Sequence, residues 1–372
     1  MKDARLLLEG GLQANEASQK DLADYLDVSS SALSSYLNGD KELGFAYLSK
    51  ASGFLGDFEE RMITKACLEF TRANNVKCAL EFLSTRCKLD ELEERLETVF
   101  FKRSDEWVDV YKLVLDFQRW QSEPETLLCD IRDAMKRTKT PELIALLHVL
   151  EAGVYVHLAE YKPVLRLAEH NLAYIDGLKD SYIKRSLSVR VYEQLANTYL
   201  YAYNQPEKAR EYAELVIQSK IGDNFTADAH LLIGTSHWFT DLNAATESLK
   251  TAAALYRKIG RAEFAHSVLS NNLELIRTYH GVGLDELDGL SDEVKAYKLS
   301  LRGGEAEVLA LIEAEPDEAF RLHYLGLHTG DLTYFWRALG AFKKRSDNFL
   351  AYLPFAELVK SPDQKAAAMA VY

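Results

Sequence analysis

The chain has 372 residues, 48% of them hydrophobic, and a formal net charge of −13 at neutral pH. This hydrophobic fraction is enough for a large core, and the length exceeds one typical domain, although a helical array can be this long without splitting. The negative charge excludes a protein that coats nucleic acid, because such binding requires many cations to neutralise the phosphates.

The four cysteines form no CxxC pair and have no histidine at metal-ligand spacing; they are Cys67, Cys78, Cys87 and Cys129. They predict structural thiols in a reducing compartment, and we expect no metal site and no cofactor. The amino terminus lacks an apolar core long enough for a secretion signal, and no run of about 18 apolar residues could span a membrane. We therefore expect a cytoplasmic protein with no membrane partner.

Apolar residues recur at spacings of three and four along most of the chain, as in KCALEFLSTRCKLDELEERLETVF. This period is typical of amphipathic helices, and the alternating pattern of strands is rare. The predicted fold class is therefore all-α.

The segment from Gln19 to Phe45 predicts two short helices joined by a tight turn. Its apolar positions share one side of the two helices: Leu22, Ala23, Leu26, Leu33 and Leu37. Val28 closes the turn, Gly39 stops the second helix, and Phe45 can cover the core. The other side carries short polar side chains, which let a helix approach the major groove of DNA closely.

These features predict a DNA-binding helix-turn-helix within residues 1–56. We expect its outer face to contact double-stranded operator DNA, with the two lysines near phosphate: Gln19, Lys20, Ser30, Ser31, Ser34, Ser35, Asn38 and Lys41. Residues 1–56 carry five cations against eight anions, so binding would need dimerisation and specific contacts. The alternative is an ordinary helical hairpin with capping serines.

The remainder of the chain predicts paired helices. Residues 57–140 are expected to form a helical linker or first repeats. From residue 141 to 360, turn signals at irregular spacing indicate a degenerate tetratricopeptide (TPR)-like superhelix with a concave channel. The glycine-rich segment 280–292 predicts a longer connection or a hinge. Residues 361–372 are expected to cap the array and to support a homodimer through the carboxy-terminal helices.

Polar residues recur on the helices expected to line the channel: Asn197, Tyr201, Thr235, Trp238, Asn271 and Asn272. An asparagine side chain both donates and accepts hydrogen bonds, so it can pair with an extended peptide backbone. The alternative is that each residue caps a helix, faces solvent or joins helical pairs. No nucleophile motif, phosphate loop or HExxH occurs, so we expect no enzyme activity, and a hydrolase with a dispersed site is the remaining catalytic alternative.

Two segments resemble a known family. LLIGTSHWFTD, residues 231–241, is similar to the family's Ile-Gly-Thr-Ser segment with its aromatic and Asp, and residues 324–358 resemble its carboxy-terminal stretch in Gly-Leu, Asp and the Phe-Lys-Lys…Ser-Asp run. With a helix-turn-helix before a TPR-like array, the layout resembles the peptide-pheromone receptors of Gram-positive bacteria and their phages. The resemblance is strongest to the AimR-like arbitrium receptors of temperate Bacillus-group phages.

The resemblance implies a dimeric regulator in the bacterial host cell. The free dimer would activate transcription that keeps the phage lytic, and a short secreted peptide, a hexapeptide usually ending Arg-Gly-Ala, would switch this off so that lysogeny follows. Asp347 falls on the family's acidic ligand-contact position, and a carboxylate is the partner that a peptide arginine needs. Asn197 lies close to a ligand-binding Asn, Asn224 stands near a position where a relative has Arg, and Asn204 completes the expected set. A Rap-like adaptor that binds a protein partner under peptide control is the alternative.

Overall fold

The computed structural model describes residues 2–55, 59–98, 106–302 and 306–372. All regular secondary structure in these ranges is helical, so the all-α prediction is confirmed. Within the same ranges, no helix is both long and apolar enough to cross a membrane.

The chain forms two compact units, each built from two stretches of sequence. The first consists of Met1–Glu151 and Tyr174–Leu187, and the second of Ala152–Ala173 and Ser188–Tyr372. The four-part division expected from the sequence stays a prediction, and its first boundary, after residue 56, lies outside the described residues.

The described part of the first unit begins with nine helices: α1 (Lys2–Ala14), α2 (Gln19–Leu26), α3 (Ser30–Leu37), α4 (Phe45–Leu55), α5 (Glu59–Glu69), α6 (Ala73–Thr85), α7 (Leu89–Thr98), α8 (Glu106–Arg119) and α9 (Pro124–Arg137). Three longer helices each contribute to both units: α10 (Pro141–His157), α11 (Tyr161–Asp176) and α12 (Tyr182–Tyr201). The second unit continues with α13 (Pro206–Ser219), α14 (Asp223–Ser236), α15 (Leu242–Lys258), α16 (Ala262–Ser267), a π-helical turn (Val268–Leu273), α17 (Glu274–Tyr279), α18 (Asp292–Ser300), α19 (Ala306–Ala314), α20 (Glu318–Thr329), α21 (Leu332–Lys344), α22 (Tyr352–Leu358) and α23 (Pro362–Val371).

The predicted turns divide the helical pairs of the second unit. Asp241 caps α15 by accepting N–H bonds from Asn243 and Ala244, both at 3.0 Å, and Asp331 caps α21 by accepting one from Thr333 at 2.9 Å. An aspartate before a helix satisfies N–H groups that have no partner within it. The successive helices then pack on each other, as α13 does on α14, α14 on α15, and α20 on α21.

Two glycines allow these helices to pack closely. A Cβ atom on Gly234 of α14 would lie 2.7 Å from Cγ of Leu249 on α15, and one on Gly326 of α20 would lie 2.6 Å from the ring of Phe335 on α21. Any side chain would force the paired helices apart, so both positions require glycine. These are the glycines of the Ile-Gly-Thr-Ser and Gly-Leu segments.

The segment between α17 and α18 is a long connection tied to both helices. The amino group of Lys298, whose side chain is fully buried, donates to Glu274 at 2.9 Å, to the carbonyl of Gly283 at 2.8 Å and to that of Glu286 at 3.0 Å. A buried ammonium with three acceptors is well satisfied and holds the connection in place. Of the two alternatives for residues 280–292, this arrangement favours the connection over the hinge.

Candidate DNA-binding and peptide-binding sites

The helix-turn-helix is shaped by local capping. In α2, Ser18 accepts from the N–H of Asp21 at 3.1 Å, and the Asp21 carboxylate accepts from the N–H of Ser18 at 2.8 Å. Asp27, in the left-handed region at φ 58°, ends α2, and Ser29 then caps α3 by accepting from the N–H of Ala32 at 3.2 Å. The predicted apolar face is buried, together with Tyr36: Leu22, Ala23, Leu26, Leu33 and Leu37.

Six of the eight predicted DNA-contact residues are exposed: Gln19, Lys20, Ser30, Ser31, Asn38 and Lys41. Ser34 and Ser35 are half-buried. The Asn38 amide lies 3.4 Å from the Ser34 hydroxyl, and the carbonyl of Ser35 accepts the N–H of Lys41 at 3.2 Å. The outer face of α3 therefore carries short polar side chains that are exposed or half-buried, as the sequence predicts.

A cation from α1 lies at the end of α3, which the sequence alone did not reveal. Gly39 follows α3 at φ 87°, and a Cβ atom there would meet Nη1 of Arg5 at 1.9 Å. The glycine is required both for its backbone conformation and for the space that Arg5 occupies. Arg5 thus adds a positive charge beside the exit of α3.

The helix-turn-helix is joined to the helices after it through a buried carboxylate. Glu42 accepts from the N–H of Thr71 at 2.8 Å, from its hydroxyl at 2.7 Å and from the amide of Asn75 at 2.6 Å. Burial alone would raise the pKa of Glu42, but the hydrogen bonds from Thr71, Asn75 and Arg72 outweigh it and lower the pKa. Asn75 also accepts the N–H of Phe45 at 2.9 Å.

Phe45 packs on rings outside the two-helix motif. Its ring centroid lies 4.9 Å from that of Tyr182, 5.8 Å from Phe82 and 6.3 Å from Phe70. The sequence predicted that Phe45 could cover the helix-turn-helix core. In the structure, Phe45 packs in the core of the first unit, because it is the first residue of α4 and this helix lies beside α6.

In the second unit, Asp347 is buried and has partners within the chain. Its Oδ1 accepts the N–H of Leu350 at 2.9 Å, and its Oδ2 lies 3.4 Å from Nη2 of Arg345. The other side of the Arg345 guanidinium pairs with Asp317. Burial raises the pKa of Asp347 to about 6, although the Leu350 N–H and the Arg345 charge oppose the shift. Among the described residues, this one long ion pair therefore compensates the charge of the carboxylate only in part.

The structure brings Asp347 together with Tyr201 and Asn204, which lie far away in sequence. The carbonyl of Tyr201 accepts the N–H of Asn348 at 2.7 Å, and the Asn348 amide donates to the carbonyl of Ala202. Asn204 donates from Nδ2 to the hydroxyl of Tyr372 at 2.6 Å. Burial raises the pKa of both tyrosines. The charge of Asp347 is the next cause for Tyr201, whereas for Tyr372 the neighbouring Tyr352 raises the pKa more than Asp347 does. Three predicted peptide-binding residues therefore share one region.

An aromatic cluster borders this region. The ring of Phe239 lies 4.9 Å from Phe349 and 4.7 Å from Tyr352. The sequence placed Trp238 on the same helix as Thr235, but α14 ends at Ser236 and Trp238 lies in the turn after it, where its carbonyl contacts Nε2 of His280 at 2.8 Å. Its indole N–H has no hydrogen-bond partner within the described ranges.

Asn197 lies in a second environment, a small cavity whose mainly apolar lining includes two carboxyl groups. Glu193 of α12 and Asp228 of α14 share this lining with Asn197, and their carboxyl groups are hydrogen-bonded to each other. Burial, followed by the charge of Asp228, raises the pKa of Glu193 to about 8, so the pair holds a proton at neutral pH. Asp228 also accepts the hydroxyl of Tyr256.

The other predicted peptide-binding residues are dispersed over the second unit. Asn224 is buried in the first turn of α14. Thr235 is buried further along α14 and donates to the carbonyl of Leu231 at 2.9 Å. Asn271 and Asn272 are half-buried on the π-helical turn, an irregularity that is frequent at functional sites.

Several residues of the Asp347 region were not predicted from the sequence, chiefly Arg345, Asn348 and Tyr372. Arg345 and Asn348 flank the Ser-Asp motif, so their proximity to Asp347 was the one available signal. Nothing in the sequence pairs Tyr372 with Asn204.

The exposed serine-rich second helix of the motif and the paired helices of the second unit define a helix-turn-helix transcriptional regulator with helical repeats. A family profile described as AimR transcriptional regulator-like matches residues 59–360, and a helix-turn-helix profile matches residues 12–60. The chain belongs to the AimR transcriptional regulator-like family.

A relative and two solved structures agree with this assignment. The AimR transcriptional regulator of Bacillus phage phi3T is 24% identical over 320 residues, which cover 81% of this chain and 82% of the relative. The selenomethionine form of phAimR has a TM-score of 0.76 at 17% identity and covers 99% of both chains. The phAimR structure with a ligand has a TM-score of 0.70 at 17% identity and covers 86% of this chain and 98% of that one. The similarity confirms the predicted fold, a helix-turn-helix followed by TPR-like helical repeats.

Proposed function

We propose that this chain is a peptide-gated regulator of a phage lysis–lysogeny decision. A homodimer in the host cytoplasm binds operator DNA and activates transcription, and a short secreted peptide bound by the second unit stops this activity. The observation that supports the proposal most strongly is that Tyr201, Asn204 and Asp347 lie in one region of the second unit. The same chain also carries a helix-turn-helix with an exposed polar face. The description of one solved relative as ligand-bound supports a ligand-binding role for the repeats.

The charge near Asp347 favours a cationic peptide. Asp317 and Asp347 share the single guanidinium of Arg345, whose contact with Asp347 is long at 3.4 Å. A guanidinium from the ligand would give Asp347 the charge-assisted partner that it lacks. Asn197, Asn204, Asn224, Asn271 and Asn272 would pair with the peptide backbone or its carboxylate, and Tyr201, Thr235 and Trp238 would complete the walls.

The homodimer is assigned to the carboxy-terminal helices. Met369 and Val371 of α23 are exposed, 63% and 54% respectively, and offer apolar surface to a partner. Leu353 and Leu358 are buried in the chain's own core and are not available for this purpose. Two subunits would present two recognition helices, and the additional contacts would offset the net negative charge of residues 1–56.

Calorimetry tests the proposed peptide site. The candidate ligand is a short secreted peptide encoded directly downstream of the gene. Asp347→Ala should weaken its binding by about ten- to a hundredfold, because a charge-assisted hydrogen bond contributes roughly 1.5–3 kcal/mol. Asp288→Ala, an exposed acid in the same unit, is the matched control and should bind like wild type. Equal affinity of the two variants would remove Asp347 from the site.

A Rap-like adaptor is the second candidate, favoured by the exposed acids of the helix-turn-helix, Asp24, Asp27 and Asp40. These carboxylates repel phosphate and would suit a basic protein surface. Peptide binding without any specific DNA binding, together with capture of a defined host protein, would support this candidate instead.

A further inference from the structure

The end of α3 is shaped around a guanidinium from α1. The side chain of Arg5 lies over the backbone of Gly39, where a Cβ atom would meet Nη1 at 1.9 Å, Cζ at 2.9 Å and Nη2 at 3.1 Å. These atoms make up the planar end of the arginine, so the guanidinium itself occupies the space that a side chain at residue 39 would need. Gly39 also has φ 87°, a conformation that favours glycine. The glycine therefore gives Arg5 a defined position beside the recognition helix.

The turn after α3 satisfies the last carbonyls of this helix without the guanidinium. The carbonyl of Ser35 accepts the N–H of Asp40 at 2.9 Å and that of Lys41 at 3.2 Å, and the carbonyl of Tyr36 accepts the N–H of Gly39 at 3.0 Å. The guanidinium is therefore not needed as a cap for these carbonyls. It carries several N–H donors in one plane, so contacts within the chain still leave donors for an anion.

The surroundings of the guanidinium match those of a phosphate contact. Asn38 and Lys41, which lie on either side of Gly39 in the sequence, are both exposed. When a recognition helix lies in the major groove, the end of such a helix can reach the DNA backbone that borders the groove. An arginine donates parallel hydrogen bonds to a phosphate, which gives the contact a fixed geometry. Residues 1–56 carry only five cations, so each of them contributes a substantial part of the attraction to DNA.

We propose that Arg5 of each subunit binds a phosphate of the DNA backbone beside the end of α3, and that Gly39 places the guanidinium there. The contact would position the recognition helix in the groove. It would carry no sequence information, because the phosphates are chemically the same at every base pair. The inference rests on DNA binding by the helix-turn-helix and on no other part of the proposed function.

Fluorescence anisotropy on the full chain, measured between about 0.05 and 0.2 M KCl, tests this contact. The probes are a duplex that the wild-type protein selects from a random-sequence pool and a duplex of the same length with a shuffled sequence. Each phosphate contact that is lost flattens the plot of log affinity against log salt concentration by about 0.9. Arg5→Gln should flatten it by this amount for each subunit bound, and affinity for both duplexes should fall by the same factor, roughly tenfold per subunit at low salt. Arg5→Lys keeps the charge and should keep most of the slope.

Gly39→Ala tests whether the glycine places the guanidinium. The new Cβ atom would occupy the position of Nη1, so Arg5 should be displaced and the salt slope should flatten as it does in Arg5→Gln. In the double variant the slope should flatten no further than in Arg5→Gln, because no guanidinium remains to be displaced. Additive flattening in the double variant would contradict the role assigned to Gly39.

Arg137→Gln is the matched control, because it removes the same charge from an exposed arginine at the end of α9 in the same unit. It should keep the wild-type salt slope, and circular dichroism should show the same helical content in every variant. Reduced affinity with an unchanged slope in Arg5→Gln would mean that Arg5 only supports the fold of the motif. A loss confined to the selected duplex would make Arg5 a base-reading residue. Either result would overturn the proposal and leave DNA binding intact, whereas a wild-type protein that binds neither duplex would remove both.

Discussion

The N–H of Asn348 donates to the carbonyl oxygen of Tyr201 at 2.7 Å, and its side chain reaches the next carbonyl, that of Ala202, 146 residues away. These bonds fix the loop that contains Asp347 against the end of α12. The subsite that we expect to bind the cationic group of the peptide is therefore held in place by contacts between distant parts of the chain.

Replacing Asn348 with Ala should loosen this loop. The variant loses one side-chain hydrogen bond, which costs about 1 kcal/mol. Amide hydrogen exchange at residues 347–350 should become faster, and peptide affinity should fall. Asn243→Ala, on the exposed face of α15, should change neither. Unchanged exchange in Asn348→Ala would show that the backbone bonds alone hold the loop.

Asp347 should make the stability of the protein depend on pH in a definite direction. Its folded pKa of about 6 is above the ordinary value of 3.8, so the folded state binds more protons between these values. Stability should therefore fall as pH rises from about 4 to 6. Asp347→Asn should remove this part of the slope in denaturant unfolding measured across that range.

Asp331 provides a control of opposite sign. The hydrogen bond from the N–H of Thr333 lowers the pKa of Asp331. The contribution of Asp331 to folding stability is therefore present at neutral pH and is lost as the pH falls through the lowered pKa. Asp331→Asn should reduce the loss of stability in acid. An identical pH slope in wild type and Asp347→Asn would contradict the pKa assigned to Asp347.

The outer face of α3 should be sensitive to added negative charge. Ser31→Glu combined with Ser35→Glu should abolish operator binding, because two carboxylates would face the phosphates of DNA. Circular dichroism should show unchanged helical content. Gln13→Glu, an exposed change at the end of α1, should reduce affinity far less. Full operator affinity in the double variant would exclude α3 as the reading helix.

The bond between Glu42 and Asn75 should stabilise the first unit. Asn75→Ala leaves a buried carboxylate short of a donor and should destabilise the unit by roughly 1.5–3 kcal/mol. In a double-mutant cycle with Glu42→Ala, the two changes should be non-additive, since both remove the same contact. Additive effects would mean that the contact contributes little.

The sequence predicted those parts of the molecule that depend on local pattern. The helix-turn-helix follows from apolar spacing, capping serines and Gly39, all within a few residues of one another. The position of Arg5 beside Gly39 does not, because it depends on how α1 packs in the folded unit. Similarly, Asp347 was identified through its motif, but Tyr201 and Asn204 come into the same region only after folding, through their bonds to Asn348 and Tyr372.

The carboxy-terminal apolar residues also show that local sequence pattern does not predict how residues pack after folding. Leu353 and Met369 are equally hydrophobic in sequence, yet the first is 3% exposed and the second 63%. Periodicity over a seven-residue helix such as α22 cannot separate a core position from one available to a partner. That distinction requires the packing of the neighbouring helices.

The central claim, peptide control of DNA binding, is tested most directly by fluorescence anisotropy. The free protein would first be used to select an operator fragment from phage DNA. Its affinity for that fragment would then be measured with and without a saturating concentration of the peptide encoded downstream. A fall in operator affinity for wild type, and a smaller fall for Asp347→Ala at the same peptide concentration, is the predicted result. Operator affinity that the bound peptide leaves unchanged would contradict the account.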